Sequence, residues 1–170
     1  MELHLEGRAR LLADNVNTDY IISSSRKRDT LDEQMLKQYL FETMDPAFAA
    51  SVEAGDLLVA GRNFGCGSAM EIAVTVVLAA GIKAVLARSF ARTFYRNAVN
   101  NGLVPVVCDT SSIEEGDRLS IFLAGAGLRV VDHTRDFEIA GEPLPDMMLD
   151  ILASGGLVPY FRQHGGFGAG

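Results

Sequence analysis

The stretch GRNFGCGSAMEIAV, residues 61–74, packs small residues into a turn and then runs into an apolar helix. It lies between two short, continuously apolar segments, 57–60 and 82–87. Buried strand, glycine turn, helix and buried strand form the repeating unit of a parallel sheet with right-handed crossovers. Ser68 stands where the turn becomes the helix, and two readings of it are open. Ser68-Ala69-Met70-Glu71 has the S-x-x-E spacing of a capping box, in which the serine oxygen accepts from an amide and the glutamate reaches back. The same helix start also gathers free amides that attract an anion and stabilise a deprotonated hydroxyl.

Outward from this stretch, the pattern continues in both directions. Downstream, Ser89 is placed to cap a helix carrying Phe90, Phe94 and Val99, closed by Asn101-Gly102 and followed by a third buried strand over 103–107. Upstream, residues 2–12 alternate as a half-buried strand, and a polar turn cluster spans 14–19. The short apolar run 20–22 follows, and 23–29 reads as the most loop-like part of the first half. Thr30-Leu31-Asp32-Glu33 is a second capping-box spacing, opening a helix to about Glu42, and Asp45-Pro46 opens another short helix. Beyond Gly116-Asp117, the segments 119–123, 128–131 and 137–139 alternate between turn-rich stretches and predict antiparallel strands. A last short helix is expected over 147–152 and a frayed tail over 165–170. The fold class expected is α/β: one domain over 1–170, with a mostly parallel central sheet flanked by helices and a more antiparallel C-terminal part.

Composition excludes several functions. Fifteen basic against 22 acidic residues give a net charge of −7, which argues against nucleic-acid binding. Although 48% of residues are apolar, no run approaches the roughly 18 residues of a membrane span. The N-terminal stretch is acidic where a signal peptide is basic, so a cytoplasmic location is expected. The two cysteines, Cys66 and Cys108, form no C-x-x-C pair, so no metal or cluster site is expected in this chain. The glycine turn is no dinucleotide fingerprint, because Met70 takes the third glycine's place, and it lacks the Gly-Lys-Ser/Thr of a phosphate loop. The G-x-S-x-G elbow of a hydrolase is absent, and His4, His133 and His164 are scattered.

Three blocks, DNVNTDYII at 14–22, AGRNFGCGSAMEIA at 60–73 and ARSFARTFYRNAVNNGLVPV at 87–106, together resemble the small subunit of the isopropylmalate isomerase (3-isopropylmalate dehydratase) and homoaconitase family, the counterpart of the swivelling domain of aconitase. The resemblance covers about the first 110 residues in order and spacing. It implies a swivelling β/β/α domain and makes Ser68 the base that removes or returns the substrate's carbon-bound proton. Gly67, Ala69 and Met70 then line the substrate, with Thr18 and Asp19 in support. It aligns 23–30 with a mobile substrate-selecting loop, in which Arg28 faces the substrate and Arg26 supports it. A guanidinium grips a carboxylate bidentately. The resemblance also implies a separate large subunit carrying a [4Fe–4S] cluster, with a small hydroxy-diacid as substrate. Interconversion of 2- and 3-isopropylmalate in leucine biosynthesis is the first expectation. Homocitrate-, citraconate- or dimethylmalate-type acids, or a non-catalytic swivel domain used for binding or regulation, are the alternatives.

One departure bears on the substrate. The family's common run is Ser-Ser-Arg-Glu, and here it is Ser68-Ala69-Met70-Glu71. The arginine that grips a substrate carboxylate is missing, so either Arg26 or Arg28 is expected to supply the charge, or the substrate is less polar there.

Overall fold

The computed structural model describes residues 2–125 and 127–166. Its centre is β1, Glu2–Leu11, a strand long enough to join a parallel and an antiparallel half of one sheet. Its last residues, Ala9 to Leu11, run parallel to β2, Leu57–Val59. The preceding residues, Glu2 to Arg8, pair antiparallel with β5, Arg118–Ala124. From β2 the sheet continues in parallel through β3, Ala84–Ala87, to β4, Val104–Val107. From β5 it continues antiparallel through β6, Gly127–Asp132, to β7, Phe137–Gly141. The order is β4-β3-β2-β1-β5-β6-β7, so the expected parallel part and antiparallel C-terminal part form one continuous sheet.

Alternation along the parallel strands separates two apolar cores. Leu57, Val59, Ala84 and Leu86 join Leu119, Ile121 and Val130 of the antiparallel strands and Leu149, Leu152 and Tyr160 of the C-terminal helices. Leu58, Ala60, Val85 and Ala87 face Ile21, Leu36, Phe41, Val74 and Val77 on the other side. Burial on both faces explains why β2 and β3 read as unbroken apolar runs.

Several helices depart from the sequence reading. Helix α1 is Thr18–Ile21, and the stretch read as a loop contains α2, Ser24–Asp29, which fully buries no residue and therefore shows no apolar period. Asp32, not Thr30, caps α3, Glu33–Leu36, by accepting from the Gln34 amide, and a 3₁₀ turn follows over Lys37–Tyr39. Asp45 does open the next turn, accepting from the Ala47 amide ahead of α4, Phe48–Ser51.

The helix after the glycine turn, α5, is Ile72–Ala79 with Glu71 in the N-cap place, so it does not start at Ser68. The Ser68–Glu71 capping box is not formed, because residues 65–68 are held as a turn. The β-branched residues of IAVTVVLA oppose helix formation, and burial within the apolar core overrides them. Helix α6 is Arg92–Asn101, and Ser89 does not cap it. Helix α7, Asp146–Ala153, is not the last. Gly155-Gly156 leads into α8, Leu157–His164, where Pro159 sits in the first turn, whose amides lack helical acceptors anyway. Of the tail expected over 165–170, residues 167–170 lie outside the described residues.

A charge cluster fixes the place where β1 changes partners. Asp56, 2% exposed, accepts from Arg8 at 3.1 and 2.8 Å, from Arg10 at 3.4 Å and from the Glu53 amide at 2.9 Å. Burial pushes the Asp56 carboxyl up, but the Arg8 fork, the Glu53 amide and Arg10 outweigh it and hold the acid below its ordinary range. A lowered folded-state pKa stabilises above the unfolded value and ceases to as pH falls through the folded one. Asp56→Asn is therefore expected to cost about 3 kcal/mol at neutral pH and to flatten the loss of stability below about pH 4, both measured by urea unfolding against pH.

Candidate active site

The three sequence blocks follow β1, β2 and β3, and they meet beyond the C-terminal ends of those parallel strands, where α/β sheets place their sites. The glycine turn is the middle strip. On one side the first block runs along it. The Asn15 amide donates to the Arg62 carbonyl at 2.8 Å, the Gly65 amide to Val16 at 2.8 Å, and the Thr18 amide to Cys66 at 2.8 Å. On the other side the third block does the same. The Asn63 amide donates to Ser89 Oγ at 2.8 Å, and the Phe64 amide to the Ser89 carbonyl at 3.0 Å. Ser89 is thus a brace for the turn. Phe64, Phe90 and Phe94 pack beneath it, with the Phe64 and Phe94 ring centroids 5.1 Å apart.

Two glycines are required by this crowding. Gly67 has φ +94°, and a Cβ there would stand 2.5 Å from Asn17 Oδ1. Gly65 has φ +81°, and its Cβ would run into the Phe94 ring. The Asn17 side chain also accepts from the Asp19 amide and so caps α1. That pairing of cap and close approach is a site feature the sequence reading misses. The N-x-D spacing is its only signal.

Gly67, Ser68 and Ala69 are exposed, and Met70 is half-buried. The buried hydroxyl of Thr18 donates to the Ser68 carbonyl at 2.9 Å and fixes that residue's backbone. The Ser68 hydroxyl has no partner among the described residues, and the amides from Ser68 to Ile72 donate to no acceptor there. These amides and the serine oxygen belong to the largely exposed run that leads into α5. Such a set stabilises negative charge on the serine or on a bound carboxylate.

Asp19 bonds to α2: its Oδ1 accepts from Ser24 Oγ at 2.9 Å and Lys27 Nζ at 3.1 Å, and the Lys27 bond, then the Ser24 bond, hold its carboxyl below the ordinary range. Arg26 is committed elsewhere, paired with Glu42 at 3.0 Å and lying over the Tyr39 ring at 3.7 Å. Arg28 is exposed and has no hydrogen bond or ion pair among the described residues. The site therefore brings together Thr18, Gly67, Ser68, Ala69 and Met70, with Asp19 linked to them through Lys27, and leaves Arg26 turned toward Glu42.

No group of three or more metal-ligating side chains occurs among the described residues. Cys66 lies half-buried in the turn, whereas Cys108 is buried and its thiol is pushed up to about 12 by burial and by Asp109. A Ser–His contact exists elsewhere, Ser120 Oγ to His133 Nε2 at 2.7 Å, but Ser120 is buried in β5 and Glu6 meets the serine, not the far ring nitrogen. It lacks the geometry of a nucleophile.

The sequence profile of the aconitase C-terminal domain matches residues 5–111, which span all three blocks. The chain belongs to this family. Its full-length relatives carry the names of small subunits of aconitase-type dehydratases. Among its relatives, 3-isopropylmalate dehydratase small subunit 2 of Archaeoglobus fulgidus is 43% identical, covering 96% of this chain and 98% of that one. A methanogen homoaconitase small subunit from Methanothermobacter thermautotrophicus is 44% identical over 96% and 94%. The crystal structure of a Methanocaldococcus jannaschii 3-isopropylmalate dehydratase superposes with a TM-score of 0.87 at 40% identity, covering 95% of each chain. No helix among the described residues is long and apolar enough to cross a membrane.

The aconitase-type turn leaves room for no Cβ at residue 67. Gly67→Ala is expected to lower stability by about 2 kcal/mol or more through left-handed strain and the clash with Asn17. Asn17→Gly in the same chain relieves the clash, so the double variant should lose less than the two single losses summed, as read from thermal unfolding in a double-mutant cycle.

Proposed function

We propose that this chain is the swivelling small subunit of a two-component dehydratase in the cytoplasm, and that Ser68 is its proton-transferring base. The observation that carries the reading is that the Ser68 hydroxyl and the amides from Ser68 to Ile72 have no partner among the described residues, on a backbone held by Thr18. The substrate is a small hydroxy-diacid, with 2- and 3-isopropylmalate first and homocitrate-type acids second, in keeping with the names of the relatives.

Among the described residues there is no ligand set for an iron–sulfur cluster, since the cysteines are a lone turn residue and a buried thiol. The cluster belongs on the large subunit, where its open iron supplies a Lewis acid for the departing hydroxyl. On this chain, the amides at the start of α5 bear the negative charge while Ser68 Oγ takes the proton from the carbon next to the one losing hydroxyl. Dehydration gives an unsaturated diacid. Readdition of water at the neighbouring carbon, with the proton returned by Ser68, moves the hydroxyl. Gly67 and Ala69 keep the approach open, and Arg28, exposed on α2 with no partner among the described residues, is left to meet one of the two substrate carboxylates.

Because Ser68 makes no cap bond, Ser68→Ala is expected to change stability by no more than about 0.5 kcal/mol. In the reconstituted two-subunit complex it should lower turnover of 2-isopropylmalate by several orders of magnitude while substrate still binds. Near-native turnover by Ser68→Ala would make the serine structural and leave a binding role. Arg28→Ala should raise KM by about 10- to 150-fold, the loss of one charged hydrogen bond of roughly 1.5–3 kcal/mol, with kcat little changed.

A further inference from the structure

Three adjacent cations ride on α2, and they have different fates. Arg26 is engaged by Glu42 and Tyr39, and Arg28 points to solvent. Lys27 turns inward. Its side chain is only 6% exposed, with Nζ 3.1 Å from Asp19 Oδ1 and 3.1 Å from Met70 Sδ.

An ammonium carries three donors. One of these meets a carboxylate and one a thioether, and the third has no acceptor among the described residues. Sulfur of this kind is a weak acceptor for a compact, strongly hydrated cation. A long charged side chain has thus been drawn out of water toward the glycine turn without full satisfaction there. Burying such a charge is costly unless it is paired and hydrogen-bonded. The contact spans 43 residues of sequence and ends at the residue where the family's common run has arginine.

We infer that Lys27 is a substrate-binding residue, a cation carried by α2 to the place that Met70 leaves uncharged. The inference rests on the reading of the Ser68 turn as the substrate site. Asp19 orients the ammonium, and Ser24 steadies Asp19. A hydroxy-diacid lying along the amides 68–72 presents a carboxylate that replaces the thioether as acceptor, exchanging N–H···S for a charge-assisted N–H···O. Met70 is the flexible, displaceable neighbour that this exchange needs.

The test uses the complex of this chain with its large subunit, with 2-isopropylmalate as probe and thermal unfolding as a check on folding. Lys27→Gln is expected to raise KM by about 10- to 100-fold with kcat within about threefold. Lys27→Arg keeps the charge and should stay within about fivefold of native KM. The exchange Lys27→Met with Met70→Arg returns the cation to residue 70 and should recover most of the loss. A native KM for Lys27→Gln overturns the inference. So does a raised KM that neither Lys27→Arg nor the exchange relieves, because Lys27 would then only anchor α2. A wild-type complex that turns over no hydroxy-diacid defeats the dehydratase reading separately. Lys27 is then judged by calorimetric binding of 2-isopropylmalate to the same complex, where binding unaffected by Lys27→Gln, or no binding at all, overturns it.

Discussion

The side chain of Asn17 lies so close to residue 67 that no Cβ fits between them. Everything at the site follows from that contact. The bridge between Asn17 and Cys66 sets the register of the first block against the turn, and the Thr18 amide and hydroxyl then reach the Cys66 and Ser68 carbonyls. With 65–68 fixed in this way, the helix cannot begin at Ser68. It begins at Ile72 and leaves a run of amides without helical acceptors. The backbone groups a capping box would have satisfied therefore donate to no acceptor among the described residues, and the Ser68 hydroxyl makes no cap bond.

The sheet supplies this arrangement by bringing the ends of three parallel strands side by side. Residues 12–18, 60–68 and 88–91 continue beyond β1, β2 and β3 as short paired strips, braced by hydrogen bonds such as Arg88 to Gly61 and Ala91 to Phe64. Aromatic rings under the turn keep it from collapsing into the core. The antiparallel half, β5 to β7, contributes nothing to the site directly. It completes the apolar core on the face opposite α5, and the Asp56 cluster locks the strand that both halves share.

Helix α2 is held differently from the rest. It fully buries no residue, and its ties to the body are the Ser24 and Lys27 bonds to Asp19, the Lys27 contact with Met70, the Arg26 pair with Glu42 and the cation–π contact with Tyr39. An element tied down by polar contacts, with no fully buried residue of its own, belongs to the low-stability end of a fold. The family resemblance implies mobility in this stretch, and the structure gives it a short helix tethered by charge.

The sequence by itself determined the strands, their parallel-then-antiparallel division and the strand–turn–helix setting of Ser68. Those features depend on local periodicity and on turn residues, which the chain carries in order. Tertiary structure alone decided where α5 starts, because the pairing of the first block with the turn and the steric demand of Asn17 at Gly67 outweighed the S-x-x-E pattern. It also decided which of the three cations lies against the glycine turn. Nothing along the chain separates Arg26, Lys27 and Arg28, since charge has no period and partner choice depends on which side of α2 each side chain leaves. Glu42 and Tyr39 lie on one side, Asp19 and Met70 on another, and only the fold sets those sides.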